Sequence, residues 1–278
     1  MYKLIALDLD GTLLDDNKMI SKENMLAINK LIKKGYIFVI ATGRGYSDAK
    51  NLISNINKNI AIVSNNGNII RNSLDEKTHF INYMSGKMVK NALLIGEEFN
   101  LKSIVHVDYY KEGYDLVLEE NTYDYSINKY ISKHRDRYIF KPKEVIINME
   151  RILGVIYLGK GQILREFSNI LIEEYPNKYS SHILENIISA EAMLEIMNPS
   201  TNKWTSILEY SKGIGIKADE IITIGDDNND IEMIKNAGLG IAMKNGSVFV
   251  KDVADIVIEY DNNQSGVAHI LNEIFNLV

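Results

Sequence analysis

Residues 3–14 read KLIALDLDGTLL, and two carboxylates, Asp8 and Asp10, stand in this stretch directly after a run of apolar residues. The run from Leu4 to Leu7 is typical of a strand buried on both faces of a parallel sheet. Because side chains alternate along a strand, we expect both carboxylates to project from the same side of the chain at its carboxyl end. That end is where open α/β sheets place their ligands.

Two like charges a few ångströms apart raise each other's pKa, so Asp8 and Asp10 need either a shared proton or a cation between their oxygens. Hard oxygen ligands favour Mg²⁺ as that cation. Pairs of this kind also occur in ordinary acidic turns, where they cap backbone N–H groups or lie in water. The rest of the chain decides between these interpretations.

The composition describes a globular chain of 278 residues, with 46% hydrophobic and 24% charged residues, long enough for one large domain or two ordinary ones. The formal net charge of −6 and the lack of a basic cluster argue against a nucleic-acid partner or an anionic membrane. No apolar run reaches membrane-spanning length, and the oligomeric state is left open.

The chain contains no cysteine, which excludes disulfides and thiolate metal sites. The first predicted strand begins at residue 3 and leaves no room for a signal peptide. We therefore expect a cytoplasmic protein.

The first part of the chain alternates predicted strands and helices. The segment from Ser21 to Lys34 has apolar residues at helical spacing and ends at Gly35, a good helix stop. Tyr36–Ala41 and Ile60–Ser64 are predicted buried strands. This β-α-β-α-β order is typical of the first half of a doubly wound sheet.

The second predicted strand stops at the sequence Thr42-Gly43-Arg44. The threonine offers a hydroxyl, the glycine permits close backbone approach, and a helix predicted between Ser47 and Ile56 would point free N–H groups at the same region. An anion could bind there, although the same tripeptide also serves as an ordinary helix cap.

Residues 84–188 show a different pattern and predict an inserted α+β domain. We expect a largely antiparallel sheet with helices on one face, including a helix over Thr122–His134 and a strand over Val145–Met149. Residues 1–83 and 189–278 would then form the core domain, with Ala192–Met197 as one of its strands.

In the last third, Lys203 lies in the first turn of a predicted helix. A lysine on a helix is usually solvated, but near the amino end of a helix beside the acidic site it could hold a phosphoryl group and balance the carboxylates. The predicted strand Ile221–Ile224 is followed by the acidic sequence GDDNND, residues 225–230. An EF-hand calcium loop is excluded because Ile231 and Ala237 occupy the positions that need glycine and glutamate.

Four separated segments together resemble the haloacid dehalogenase-like superfamily, specifically its Cof-type phosphatases with a class IIB cap. They are Asp8-Leu9-Asp10-Gly11-Thr12, Thr42-Gly43-Arg44, Lys203, and Gly225-Asp226 with Asn229-Asp230. The resemblance covers nearly the whole chain and implies an α/β fold, with a doubly wound, mostly parallel Rossmann-like core sheet and an inserted cap. Trp204 departs from the family, which commonly has a small residue after the lysine, and so bears on how that lysine is placed.

The resemblance also implies a role for each residue of these segments. Asp8 would attack phosphorus to form an aspartyl-phosphate, and Asp10 would protonate the leaving alcohol and then deprotonate water. The implied ligands of Mg²⁺ are Asp8, the backbone carbonyl of Asp10, and Asp226, with Asp230 ordering their surroundings. The implied phosphoryl-binding residues are Thr42, Gly43, Lys203 and Asn229.

These roles predict a magnesium-dependent phosphatase of small phosphorylated metabolites. Sugar phosphates are the favoured substrates, ahead of pyridoxal phosphate and nucleotide-derived phosphates, and the cap would be a mobile lid that determines specificity. A phosphomutase or phosphotransferase on the same scaffold is an alternative. So is a non-catalytic sensor of a phosphometabolite, although the acid at Asp10 argues against it because binding alone needs no proton donor.

Overall fold

The computed structural model describes residues 1–56, 58–120, 124–132, 136–199 and 201–277. The chain divides into two compact units. The first unit comprises Met1–Ile81 and Thr201–Val278, and the second comprises Asn82–Ser200.

Fourteen strands and ten α-helices lie in the described ranges. The strands are β1 (Leu4–Leu7), β2 (Ile37–Ala41), β3 (Ala61–Ser64), β4 (Ile69–Asn72), β5 (Thr78–Ile81), β6 (Ser103–Tyr109), β7 (Tyr114–Glu119), β8 (Tyr138–Lys141), β9 (Ile152–Gly159), β10 (Ser180–Glu185), β11 (Ala192–Met197), β12 (Ile221–Gly225), β13 (Leu239–Ala242) and β14 (Ile256–Val257). The helices are α1 (Lys22–Lys33), α2 (Tyr46–Leu52), α3 (Gly86–Glu98), α4 (Tyr125–Ile131), α5 (Lys143–Ile146), α6 (Gly161–Glu174), α7 (Lys203–Gly213), α8 (Ile231–Asn236), α9 (Val248–Val253) and α10 (Gly266–Phe275).

The first unit is built on an eight-stranded sheet of order β14-β13-β12-β1-β2-β3-β4-β5. The pairs from β14 to β3 are parallel, and only β4 and β5 run antiparallel to their neighbours. All four residues of β1 are buried, as expected of a central strand covered on both faces. The predicted α/β fold with a doubly wound, mostly parallel sheet is therefore confirmed.

The strand order reverses beside β1. The chain runs outward from β1 through β2 and β3 on one side, and later through β12, β13 and β14 on the other. The crevice at the carboxyl ends of the strands on either side of such a reversal is where doubly wound folds bind their ligands. In this chain the loops after β1 and β12 lie at that point.

Helix α1 illustrates how local sequence signals set the elements. The hydroxyl of Ser21 accepts a hydrogen bond from the backbone N–H of Asn24 at 3.2 Å, which caps the amino end. Gly35 follows the helix with a φ of 91°, a conformation that favours glycine. Within the parts of the chain that are described, no helix has both the length and the apolar character needed to cross a membrane.

The second unit contains a six-stranded sheet of order β10-β11-β9-β6-β7-β8, in which only the β7–β8 pair is parallel. Every residue of β11 pairs with both β10 and β9. The strand therefore belongs to the second unit and not to the core segment 189–278 that we expected. Its apolar pattern predicts a strand but does not tell which sheet the strand joins.

Helices cover both faces of the second sheet, so the expectation of helices on one face is wrong. Helices α3 and α6 pack with Val105 and Tyr157, whereas α4 packs with Ile104 and Ile156 on the opposite face. Since neighbouring residues of a strand point to opposite faces, apolar side chains at consecutive positions require a cover on each side.

Two further predictions in this unit need correction. The segment Val145–Met149 is not a strand: α5 begins after Pro142 and ends at Ile146, followed by a turn. Proline presets a backbone angle that suits the start of a helix, and here it outweighs the strand-forming side chains that follow. The helix predicted over Thr122–His134 is present as α4, while both predicted end residues lie outside the described ranges.

Candidate active site

Three carboxylates converge beside the reversal of strand order. Asp8 follows β1 directly, and its backbone N–H donates to the carbonyl of Ile224 in β12 at 3.0 Å. Asp226 follows β12, and Asp230 ends the short helical turn before α8. One carboxylate oxygen from each of the three lies within 4.8 Å of the others. The parallel pairing of β1 with β12 thus brings together side chains more than 200 residues apart.

Lys203 lies within this acidic cluster, with only 1% of its surface exposed. Its ammonium group donates to Asp8 Oδ1 and to Asp230 Oδ1, each at 2.6 Å. The lysine is the first residue of α7, and the side chain of Asn202 caps that helix. Trp204 packs into the hydrophobic core of the first unit. The aromatic residue that departs from the family therefore occupies the core, and the lysine beside it lies against the carboxylates.

Asp230 holds the loop that carries Asp226. Its Oδ2 accepts hydrogen bonds from the backbone N–H groups of Asp226 at 3.0 Å and Asp227 at 3.1 Å. Both oxygens of Asp230 are thus engaged, one by backbone and one by lysine. By contrast, among the described residues no donor reaches Oδ2 of Asp8 or Oδ2 of Asp226. These two oxygens remain available to a cation or a substrate.

The electrostatics of the cluster favour an added positive charge. Burial raises the pKa of Asp8 well above its usual range, with Asp230 and Asp226 adding to the rise and Lys203 opposing it. Burial likewise raises the pKa of Asp226 to about 7, against a hydrogen bond from Thr12. Three carboxylates face one ammonium group, so the ionised cluster carries two excess negative charges. A divalent cation bound to oxygen ligands would balance them.

Asp10 has a different environment. Its carboxylate accepts hydrogen bonds from Arg44 Nε at 2.6 Å, Arg44 Nη2 at 2.8 Å and Lys18 Nζ at 2.7 Å. Burial alone would raise the pKa of Asp10, but Arg44 and then Lys18 outweigh burial and lower it to about 2. The expectation that Asp8 and Asp10 raise each other's pKa is therefore wrong. Two cations that the sequence analysis did not pair with Asp10 supply its counter-charge, and the raised pKa of Asp8 comes from burial and from Asp230 and Asp226.

Asn66, to which the sequence analysis assigned no role, links three of the predicted phosphoryl-binding residues, Thr42, Gly43 and Asn229. Asn66 has a left-handed φ of 52°, and its backbone N–H donates to the carbonyl of Thr42 at 3.1 Å. Its side-chain oxygen accepts a hydrogen bond from Asn229 Nδ2 at 3.0 Å. A Cβ added at Gly43 would lie 3.2 Å from that same oxygen. Asn66 thus joins the loop after β2 to the loop after β12.

The hydroxyl of Thr42 accepts a hydrogen bond from the backbone N–H of Arg44 at 3.1 Å. This contact closes a local turn and is not the helix cap that the sequence analysis kept as an alternative to an anion site, because α2 has Gly45 at its N-cap and no side-chain cap hydrogen bond. Thr42 can serve this turn and an anion site, since a hydroxyl that accepts one hydrogen bond can still donate its own proton.

Comparison with known proteins places this arrangement in context. A family model described as haloacid dehalogenase-like hydrolase matches residues 5–271. The chain is similar to the 5-amino-6-(5-phospho-D-ribitylamino)uracil phosphatase YcsE of Bacillus subtilis, with 30% identity over 268 residues that cover 96% of this chain and 93% of the relative. It is 28% identical over 285 residues to YitU, a phosphatase of the same name and organism, covering 99% of this chain and 98% of YitU.

Among solved structures, a haloacid dehalogenase-like hydrolase from Bacteroides thetaiotaomicron matches with a TM-score of 0.84 and 26% identity. The match covers 99% of this chain and 100% of that one. The similarity therefore includes both units of this chain.

Proposed function

Because the chain belongs to the haloacid dehalogenase-like hydrolases, of the Cof type, we propose that it is a magnesium-dependent phosphatase that hydrolyses small phosphomonoesters through an aspartyl-phosphate on Asp8. The observation that carries the proposal is the convergence of three buried or half-buried carboxylates around Lys203, within 4.8 Å of one another. The family match confirms the predicted family and enzyme class, a phosphoric monoester hydrolase.

The proposed ligands of the cation are the carboxylates of Asp8 and Asp226 and the backbone carbonyl of Asp10. A donor set of oxygens alone suits Mg²⁺. When bound, the ion supplies positive charge that stabilises the phosphoryl oxygens as negative charge builds on them. Asp230 has both oxygens engaged by protein groups and would order the loop around the ion.

Asp8 is the proposed nucleophile. A carboxylate oxygen of Asp8 forms a bond to phosphorus while the bond between phosphorus and the ester oxygen breaks, which leaves an aspartyl-phosphate and an alcohol. Lys203 holds Oδ1 of Asp8 and thereby restricts the direction from which the carboxylate can attack. The ammonium group also favours the ionised, nucleophilic form of Asp8, against the effect of burial.

Asp10 is the proposed acid and base. In the first step it gives a proton to the leaving alcohol, and in the second it takes a proton from the water that attacks the aspartyl-phosphate. Its contacts with Arg44 and Lys18 keep it ionised, as the second step requires. Donation in the first step requires Asp10 to gain a proton, so these contacts have to loosen when substrate binds.

The transferred phosphoryl group needs donors for its other oxygens. We assign this task to the hydroxyl of Thr42, the backbone N–H of Gly43, the side-chain amide of Asn229 and the ammonium of Lys203. Asn66 would keep the loops of Thr42 and Asn229 in register. The second unit, Asn82–Ser200, is the proposed cap, which would exclude bulk water and carry the specificity for the leaving group.

The proposed substrates are small phosphorylated metabolites, with sugar phosphates first. Two relatives, YcsE and YitU, are phosphatases named for a ribitylaminouracil phosphate, which combines a phosphorylated polyol with a pyrimidine. That compound therefore joins sugar phosphates, pyridoxal phosphate and nucleotide-derived phosphates in the panel to be tested.

The test is phosphate release from this panel by the purified full chain with Mg²⁺, in water labelled with heavy oxygen. Hydrolysis releases free phosphate that carries the label, whereas a mutase or phosphotransferase delivers the phosphoryl group to a hydroxyl and releases no labelled phosphate. We expect Asp8→Asn to abolish turnover with the fold intact, and Asp219→Asn, at an exposed position, to retain it. Substrate binding without turnover by the wild-type protein would instead support a sensor, and retained turnover in Asp8→Asn would refute the assigned nucleophile.

A further inference from the structure

The carboxylate of Asp226 rests against two consecutive residues that follow β1, namely Gly11 and Thr12. Thr12 is fully buried, and its hydroxyl donates a hydrogen bond to Asp226 Oδ1 at 2.6 Å. Gly11 has a φ of 80°, and a Cβ added there would lie 2.2 Å from Asp226 Oδ2. The glycine therefore provides the space that the carboxylate occupies, and the threonine provides a donor that fixes its orientation.

We infer that Thr12 is a positioning residue that orients the Asp226 carboxylate for divalent-cation binding, an inference that rests on the proposed function. Threonine is stiff about its first side-chain torsion and Thr12 is buried, so its hydroxyl oxygen has a fixed position, and the 2.6 Å contact directs the hydroxyl proton at Asp226. With Oδ1 held by that proton, Oδ2 is left without a donor from the described residues. A contact of this kind to a metal-binding carboxylate stabilises the ligand in its binding orientation.

The backbone of Asp226 is held separately from its side chain. Its N–H donates to Asp230 Oδ2 at 3.0 Å, and its carbonyl accepts from the N–H of Ser247 at 2.8 Å. Among the described residues, the only hydrogen bond that the Asp226 carboxylate accepts comes from Thr12. Removing the hydroxyl should therefore release the carboxylate while the loop stays in place. A residue that only stabilised the fold would not affect cation affinity in this selective way.

The experiment measures Mg²⁺ binding to the full chain by calorimetry, without substrate and without reference to activity. Thr12→Val removes the hydroxyl at nearly constant shape, and Thr12→Ser keeps it. Thr223→Val is the matched control, because Thr223 is also fully buried and its hydroxyl donates at 2.9 Å to a backbone carbonyl, that of Met233. We expect Mg²⁺ affinity to fall about 10–100-fold in Thr12→Val. In Thr12→Ser and Thr223→Val the Mg²⁺ affinity should stay within about threefold of wild type, well short of the loss expected in Thr12→Val.

Thermal unfolding in a chelator shows whether each variant is folded. If Thr12→Val does not fold, Thr12→Ala compared with Thr12→Ser makes the same test of the hydroxyl. Wild-type affinity in Thr12→Val, or equal losses in Thr12→Ser and Thr12→Val, would overturn the inference and leave the proposed metal site standing. A wild-type protein that bound no Mg²⁺ would overturn the proposed metal site and this inference together.

Discussion

Replacing Asp226 with asparagine should stabilise the metal-free fold above neutral pH while it removes cation binding. Burial raises the pKa of Asp226 from 3.8 to about 7, in spite of the hydrogen bond from Thr12. The folded state therefore holds this proton more tightly than the unfolded state, and the free energy of unfolding falls as the pH rises between these two values. A difference of about three pH units, at about 1.4 kcal/mol each, corresponds to at most about 4 kcal/mol.

The sign of this effect defines the experiment. The stability that comes from protonated Asp226 is fully present below pH 3.8 and is lost as the pH rises through about 7. Asparagine does not ionise, so the Asp226→Asn variant does not lose this stability as the pH rises. In urea unfolding with a chelator present, the free energy of unfolding of Asp226→Asn relative to wild type should rise by about 3 kcal/mol from pH 5 to pH 8. About two of the three pH units lie in this interval, between pH 5 and the pKa of about 7. The exposed substitution Asp219→Asn serves as the control.

Added Mg²⁺ completes the test at pH 8. Binding to the folded state alone raises the free energy of unfolding by RT ln(1 + [Mg²⁺]/Kd), so wild type should regain stability and Asp226→Asn should not. A stability difference between the two proteins that stays the same at pH 5 and pH 8 would refute the reasoning, because it would mean that Asp226 ionises in the folded protein as it does in water. An equal response of both proteins to Mg²⁺ would refute its role as a ligand.

Two further substitutions test the charges around the site. Lys203→Met leaves two buried carboxylates without their counter-charge, so urea unfolding in a chelator should show that the free energy of unfolding falls by about 3–5 kcal/mol. A fall below about 1 kcal/mol, which is typical of an exposed ion pair, would contradict the buried salt bridge. Arg44→Gln removes the main group that lowers the pKa of Asp10 to about 2, so Asp10 should keep the proton that it donates in the first step up to a higher pH, and the basic limb of the kcat/KM profile should move to higher pH. An unmoved basic limb in steady-state assays would show that Asp10 does not control it.

The sequence predicts the centre of the first sheet well for a physical reason. A strand such as β1, buried on both faces, must be apolar at every position, so its limits can be read directly. Because parallel strands end at one edge, the acids that follow β1 and β12 must lie near each other, as Asp8 and Asp226 do. The β-α-β order predicts the direction of the strands, but β1 and β12 are not consecutive in the chain, and only the family resemblance indicated that they are neighbours.

The contacts made by loops could not be predicted in this way. Lys18, which contacts Asp10, has a left-handed φ of 61°, and no apolar pattern indicates such a turn. Asn66 likewise has a left-handed φ, and the Asn-Gly signal that predicts a turn does not tell which loops the side chain will join. In the second unit, β11 was assigned to the wrong sheet because antiparallel partners leave no mark in the strand itself.

The charge of the cluster also constrains the order of events in catalysis. A phosphomonoester is itself an anion, so its approach adds negative charge to a site that already has three carboxylates against one ammonium group. Burial further disfavours the ionised forms of Asp8 and Asp226, as their raised pKa values indicate. Without a cation, the site can relieve this charge only by taking up protons, and a protonated Asp8 is no nucleophile. In the proposed mechanism, cation binding therefore has to precede or accompany substrate binding, because the same charge that balances the carboxylates would keep Asp8, the proposed nucleophile, ionised.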